Sequence, residues 1–206
     1  MADIANIAEL VSAFAAFLTV GLAFVELSTR SKAKKADLAM DIYSDFLHIK
    51  QQLEYAVENV RSYVHNIDRC SEAELIAFVQ THAVDPSVFS IIQKLTKESI
   101  SSFDCLSAKG KDNSKLIIDF SGGVTDLLLF INAFFKANAH GGPYDIEKIQ
   151  KSYQHVSSTY QKLLPGIDIA GDVLKSNLKK THSNSKLYLT VLIITAVILL
   201  FICFVL

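Results

Sequence analysis

Six histidines are the side chains best suited to acid–base work or metal ligation in this chain: His48, His65, His82, His140, His155 and His182. A metal needs its ligands on one face, as when two histidines stand four residues apart on a helix. No two of these histidines have that spacing, and none falls in HExxH or beside paired carboxylates. Cys70, Cys105 and Cys203 form no CxxC and no Cys/His pattern of a zinc site. The stretch HGGP, residues 140–143, precedes a helical pattern and could offer backbone N–H groups to an anion. It lacks the lysine and the preceding strand of a nucleotide loop, so a plain turn is expected. GxSxG and GxxxxGK[ST] are also missing, and nothing pairs the many Ser, Thr and Asp residues with a base. The expectation is therefore a protein that is not an enzyme, with no catalytic residues, no cofactor and no metal.

A different chemistry is written into the first 26 residues. Ala8, Ser12, Ala15, Ala16, Thr19 and Ala23 recur at steps of three, four and seven, so they share one helix face, with Glu9 beside it. In a bilayer such a stripe lets helices approach closely, and its hydroxyls can bond across. A carboxylate in or near a span is costly and often functional. This stripe is the candidate membrane-assembly face. It would pack against the second span of the same molecule or against other first spans, in the latter case setting Ser12, Thr19 and Glu9 towards a common centre.

The elements that would position this face are membrane spans. Leu187–Leu206 is 20 residues without a charge, about 30 Å as a helix and close to one hydrocarbon thickness. Lys186 and Tyr188 stand at its entrance as interfacial anchors do. Near the other end, Leu10–Val25 is uncharged, and residues 4–9 bring it to membrane length. Positions 1–29 hold no Lys or Arg, whereas the n-region of a secretory signal would be basic. A retained anchor is expected.

Charge sets the orientation. Arg30, Lys32, Lys34 and Lys35 follow the first span, and Lys175, Lys179, Lys180 and Lys186 precede the second. Residues 36–174 carry 18 acidic against 12 basic side chains, so the chain's net charge of −1 conceals two basic collars around an acidic body. The positive-inside rule puts the collars and the body in the cytoplasm, with both termini outside. The collars also face the lipid surface, where each cation attracts anionic lipid by about 1 kcal/mol. An acidic body repels phosphate, so direct nucleic-acid binding is not expected. A cytosolic protein or nucleoprotein partner and self-association are.

Between the spans the pattern is helical throughout. Leu38, Ile42, Phe46, Ile49, Leu53, Val57, Val60 and Val64 follow one helix face, so the first span is expected to continue to about Asn66. SEAE, residues 71–74, reads as a capping box opening a short helix to about Gln80, and Asp85–Pro86 as the next helix start. That helix carries Phe89, Ile92, Leu95 and Ile100. SAKGKDNS, residues 107–114, reads as a polar loop. The apolar helix after it, with Leu116, Ile117, Phe120, Val124, Leu127, Leu128, Ile131, Phe134 and Phe135, reads as a core helix, because Asp119, Asp126 and Gly122–Gly123 argue against a span. A further helix is expected over Tyr144–Leu164, ended by Pro165–Gly166, and a last amphipathic segment from Ile167 to about Lys180. Strand signals are nearly absent. The predicted fold is all-α: a transmembrane helix in residues 1–29, a cytosolic antiparallel bundle of four to six helices over 30–186, and a second transmembrane helix in 187–206.

In outline the chain resembles the small two-span effector proteins of bacterial anti-phage systems, of the retron-associated or abortive-infection type. The resemblance rests on the N-terminal anchor with its basic exit, VELSTRSKAKKADLAMDIYSDF, on the helical body and on the terminal apolar helix. It implies an inner-membrane, toxin-like effector of antiviral defence that stays dormant until a phage cue and then permeabilises the membrane. The alternative expectation is a membrane-anchored scaffold that tethers a cytosolic partner at the bilayer.

Overall fold

The structure is a computed structural model. It describes the backbone of residues 2–103, 107–139 and 144–205, and the side chains of these except 2–18, 20, 22, 24–25, 182–189, 191–193 and 195–205. Five helices follow in order: α1 (Ala2–Asn66), α2 (Glu72–His82), α3 (Ser87–Ser102), α4 (Ala108–Asn138) and α5 (Ile146–Val205). Among the described residues there is no strand. The chain divides into two compact units, one of residues 1–39 with 177–206, the other of residues 40–176.

The second unit is a helical bundle. α1 buries Ile42, Phe46, Ile49, Leu53, Ala56, Val60 and Tyr63, at the three- and four-residue steps that keep one side of a helix inward. The stripe is turned slightly from the expected one: Val57 and Val64 are half-buried, while Ala56 and Tyr63 are fully enclosed. α4 contributes a second stripe, from Ile117 through Phe135. Phe46 meets Phe120, and Tyr63 meets Phe134 and Phe135 edge-on, so α1 and α4 run parallel. α5 runs against both: Leu163 lies over Gly123, the His155 ring lies tilted against Phe130, and Gly171 approaches Phe46. α3 joins through a Lys94–Asp45 bond of 2.8 Å to α1 and a Thr96–Ser121 hydroxyl pair at 2.8 Å to α4. The short α2 packs Phe78 on Tyr63.

Helix starts follow local chemistry. Ser71 and Glu74 form the capping box, with Ser71 N–H donating to Glu74 Oε2 at 2.8 Å and Glu74 N–H donating to Ser71 Oγ at 3.4 Å. The Ser71 hydroxyl, donating to Glu74 Oε2 at 2.7 Å, and then the Ser71 N–H hold the Glu74 carboxyl below its ordinary range. α3 begins one residue beyond the expected start, at Ser87, whose N–H donates to Asp85 Oδ1 at 2.8 Å.

Two expectations need correction. Residues 108–114 are helix, not loop. Ser107 caps them, its Oγ accepting from Gly110 N–H at 3.0 Å, and Gly110 and Ser114 are buried. Polar and small residues resemble a loop in composition, yet here they supply a cap and a tight inner face. The second correction is Pro165, which does not end its helix: α5 passes through it. Proline removes the bond to the Gln161 carbonyl, but Gln161, Pro165 and Gly166 are all exposed, so that group lies on a surface open to solvent. Beyond the proline, Ile167 and Leu174 are almost fully buried. Burying them contributes about 3–6 kcal/mol, enough to offset the ~3 kcal/mol cost of an interior proline.

Candidate functional site

Two helical stretches among the described residues, 72–102 and 108–138, are long and apolar enough to cross a membrane by length and composition. The same test is met by core helices of soluble domains. α4 directs Ile117, Phe120, Val124, Leu127, Leu128, Ile131, Phe134 and Phe135 inward, as a core helix does. The stretch 72–102 comprises α2 and α3, of 11 and 16 residues, separated at 83–86. The terminal apolar segments are helical in backbone, within α1 and α5.

Of the candidate membrane-assembly face, the side chains of Ala8, Glu9, Ser12, Ala15 and Ala16 lie outside the described residues. Thr19 and Ala23 are described, and both are exposed. In the N-terminal collar, Arg30, Lys34 and Lys35 are exposed and Lys32 is half-buried. Arg30 Nη2 pairs with Glu26 Oε1 at 2.6 Å, an exposed i, i+4 pair worth only a few tenths of a kcal/mol. A cleft of about 790 Å³ is lined here by Leu27, Arg30, Ser31, Ala33, Lys34, Lys35, Asp37 and Leu38. In the C-terminal collar, Lys175, Lys179 and Lys180 are exposed, and the Lys186 side chain lies outside the described residues. What this set can do is chemically limited: exposed cations on long stems attract anionic headgroups but fix no particular ligand.

The histidines are dispersed. His65 Nε2 lies 2.9 Å from Arg69 Nη1, His82 stacks on Phe78 with ring centroids 4.1 Å apart, and His48 is exposed. His140 and the His182 side chain fall outside the described residues. Among the described residues no group of three or more His, Cys, Asp or Glu side chains is placed to hold a metal. Cys70 is a free, half-buried thiol.

The bundle also holds polar groups that the sequence did not single out. The Tyr63 ring is fully buried, and neither its hydroxyl nor that of Tyr144 makes a hydrogen bond of acceptable geometry. The two are nonetheless close enough to influence one another. Burial, with the Tyr144 hydroxyl adding to it, pushes the Tyr63 phenol up to about 12. Asn59, one turn earlier on α1, leaves its buried Nδ2 unpaired, as does the Ser99 Oγ on α3. Tyr63 is an i+3 step from Val60 on the α1 stripe, and only that spacing could have marked it in the sequence.

No protein-family model, curated protein or solved structure matches this chain.

Proposed function

We propose that this chain is an inner-membrane effector that spans the bilayer with its two terminal helices and holds the bundle of residues 40–176 in the cytoplasm. Triggered through that bundle, it assembles through its terminal helices and permeabilises the membrane, as in abortive infection. The observation that carries this reading is the charge-free run Leu187–Leu206, preceded by Lys175, Lys179, Lys180 and Lys186. Two features support a coupled device over a passive anchor. α1 carries both the first apolar segment and the buried stripe Ile42–Tyr63, and α5 carries both the last apolar segment and the buried Ile149–Leu174 positions. A change within the bundle therefore has a covalent, helical connection to each terminal segment.

The test is a membrane-potential dye assay on cells induced to make the protein. Wild type is expected to depolarise them. Ala16→Leu combined with Ala23→Leu, which fills the small-residue face, should insert normally and leave the potential intact. Depolarisation at the wild-type level by the double variant would reject assembly through this face. A scaffold, by contrast, should keep its activity when either terminal helix is exchanged for an unrelated apolar one.

A further inference from the structure

α4 carries its charges in blocks. Lys109, Lys111 and Lys115 stand in its first two turns with Asp112 among them; Asp119 and Asp126 come next, and no further cation until Lys136. All of these side chains are exposed. Ion pairs among the described residues join Arg30–Glu26, Lys50–Asp168, Arg61–Glu58, Lys94 with Asp45 and Glu98, and Lys151–Glu147, so none of the three lysines takes part. Acids of α1 and α3 in this part of the bundle face Lys94 instead. It donates to Asp45 at 2.8 Å, and Asp45, then Glu98 and Asp41, hold its ammonium above the ordinary range.

The fold puts the lysine block at one particular end. Phe46 of α1 meets Phe120 of α4 with ring centroids 5.2 Å apart, and the two helices run parallel. Counting back at 1.5 Å per residue, Lys115 is about level with Asp41, and Lys111 and Lys109 lie about 6 and 9 Å further towards the end at which α1 enters the bundle, at Met40. α5 runs the other way past Phe46, with Gly171 against it, and leaves at Ser176, at the same end. The lysines, far from both collars in sequence, therefore lie where both long helices depart for their apolar segments. Residues 30–39 and 177–186, about 15 Å of helix each, are all the chain between this end and the segments proposed to cross the bilayer.

We propose that this end of the bundle is a membrane-contact surface, with Lys109, Lys111 and Lys115 resting on the anionic phospholipid headgroups of the leaflet that the terminal helices enter. The inference rests on the two-span reading and adds to it a third basic contact, one that no apolar run flanks in sequence and that only the fold assembles. The charge pattern selects the occupant. An anionic leaflet attracts cations within about a Debye length, roughly 8–10 Å, and lysine stems extend that reach. The lysines occupy the end turned to the leaflet, while Asp119 and Asp126, which it would repel, are farther along α4. That order keeps the bundle end-on. The outward side of α4, where Ile118, Gly122 and Leu129 are also exposed, stands clear of the lipid.

The test is amine footprinting of the full-length chain in bilayer discs, made of phosphatidylcholine alone or with one-third phosphatidylglycerol. Peptide mass spectrometry follows the acetylation of each lysine. Lys109, Lys111 and Lys115 should react about fivefold more slowly in the anionic discs. Lys136 and Lys148, exposed at the opposite end of the bundle, should react at the same rate in both. Glycerol phosphate added to the neutral discs should not slow the three lysines; if it does, the surface takes free phosphate and the lipid assignment falls. Lys111→Glu combined with Lys115→Glu should return Lys109 in anionic discs to its neutral-disc rate. Equal rates for the three lysines in the two discs, a slowing shared by Lys136 and Lys148, or a Lys109 still slowed in the double variant would each overturn the proposal and leave insertion untouched. A chain that enters neither disc would overturn the two-span reading and this contact with it.

Discussion

The Tyr63 hydroxyl is a polar group buried at the end of an aromatic cluster without a hydrogen bond. A phenol in that position resists ionisation, and its raised pKa of about 12 makes stability depend on pH. The native state holds the proton to higher pH than the free phenol at 10.0, so stability is intact below pH 10 and falls as the pH rises towards 12. The loss reaches roughly 2–3 kcal/mol. Chemical denaturation of wild type and Tyr63→Phe at pH 9 and pH 11.5 checks this: the alkaline loss should shrink in the variant. At neutral pH the variant should be unchanged or up to about 1 kcal/mol more stable, because an unpaired buried hydroxyl is removed. Gly122 gives a second residue-scale prediction. With open space at its Cβ position, Gly122→Ala should stabilise the folded chain by about 0.5–1 kcal/mol, seen as a higher denaturation midpoint. Gly122 and Gly123 are indistinguishable in sequence. Only the placement of Leu163 assigns one to packing and leaves the other open.

Helices, the next scale up, were largely legible because their apolar residues recur at a helical period. Ile42, Phe46, Ile49, Leu53 and Val60 on α1, and the run from Ile117 to Phe135 on α4, are buried as that period requires. The ends were less legible. The capping box at Ser71–Glu74 was readable because its two bonds are local. Ser107 as a cap was not, because the lysine, glycine and asparagine after it resemble a loop until the core covers Gly110 and Ser114. Pro165 misled most, since local chemistry argues for a break and distant burial at Ile167, Ala170 and Leu174 overrides it. Pro165→Ala should therefore restore a backbone bond on an exposed surface and raise the stability of the bundle by about 1–3 kcal/mol, measured by denaturation with helical content unchanged.

For the whole molecule, the distribution of charge is the organising fact. Four cations follow residues 10–25 and four precede residues 187–206, around a body with a surplus of acid. If those collars fix topology, reporter fusions at either terminus should read periplasmic in the full-length chain, and a cytoplasmic reading at both ends would reverse the proposed orientation. The candidate membrane face was legible as a pattern of small residues, since hydropathy and helix period need no three-dimensional context. By itself the sequence determined the helical class, the apolar termini, the basic collars and most of the buried stripes, because each follows from the order of neighbouring residues. Tertiary structure alone decided that α5 continues through Pro165, that Tyr63 is enclosed with its hydroxyl unpaired, and that the outer face of α4 is left uncovered. Those outcomes depend on which side chains, distant along the chain, meet across helix faces, and no local pattern encodes that meeting.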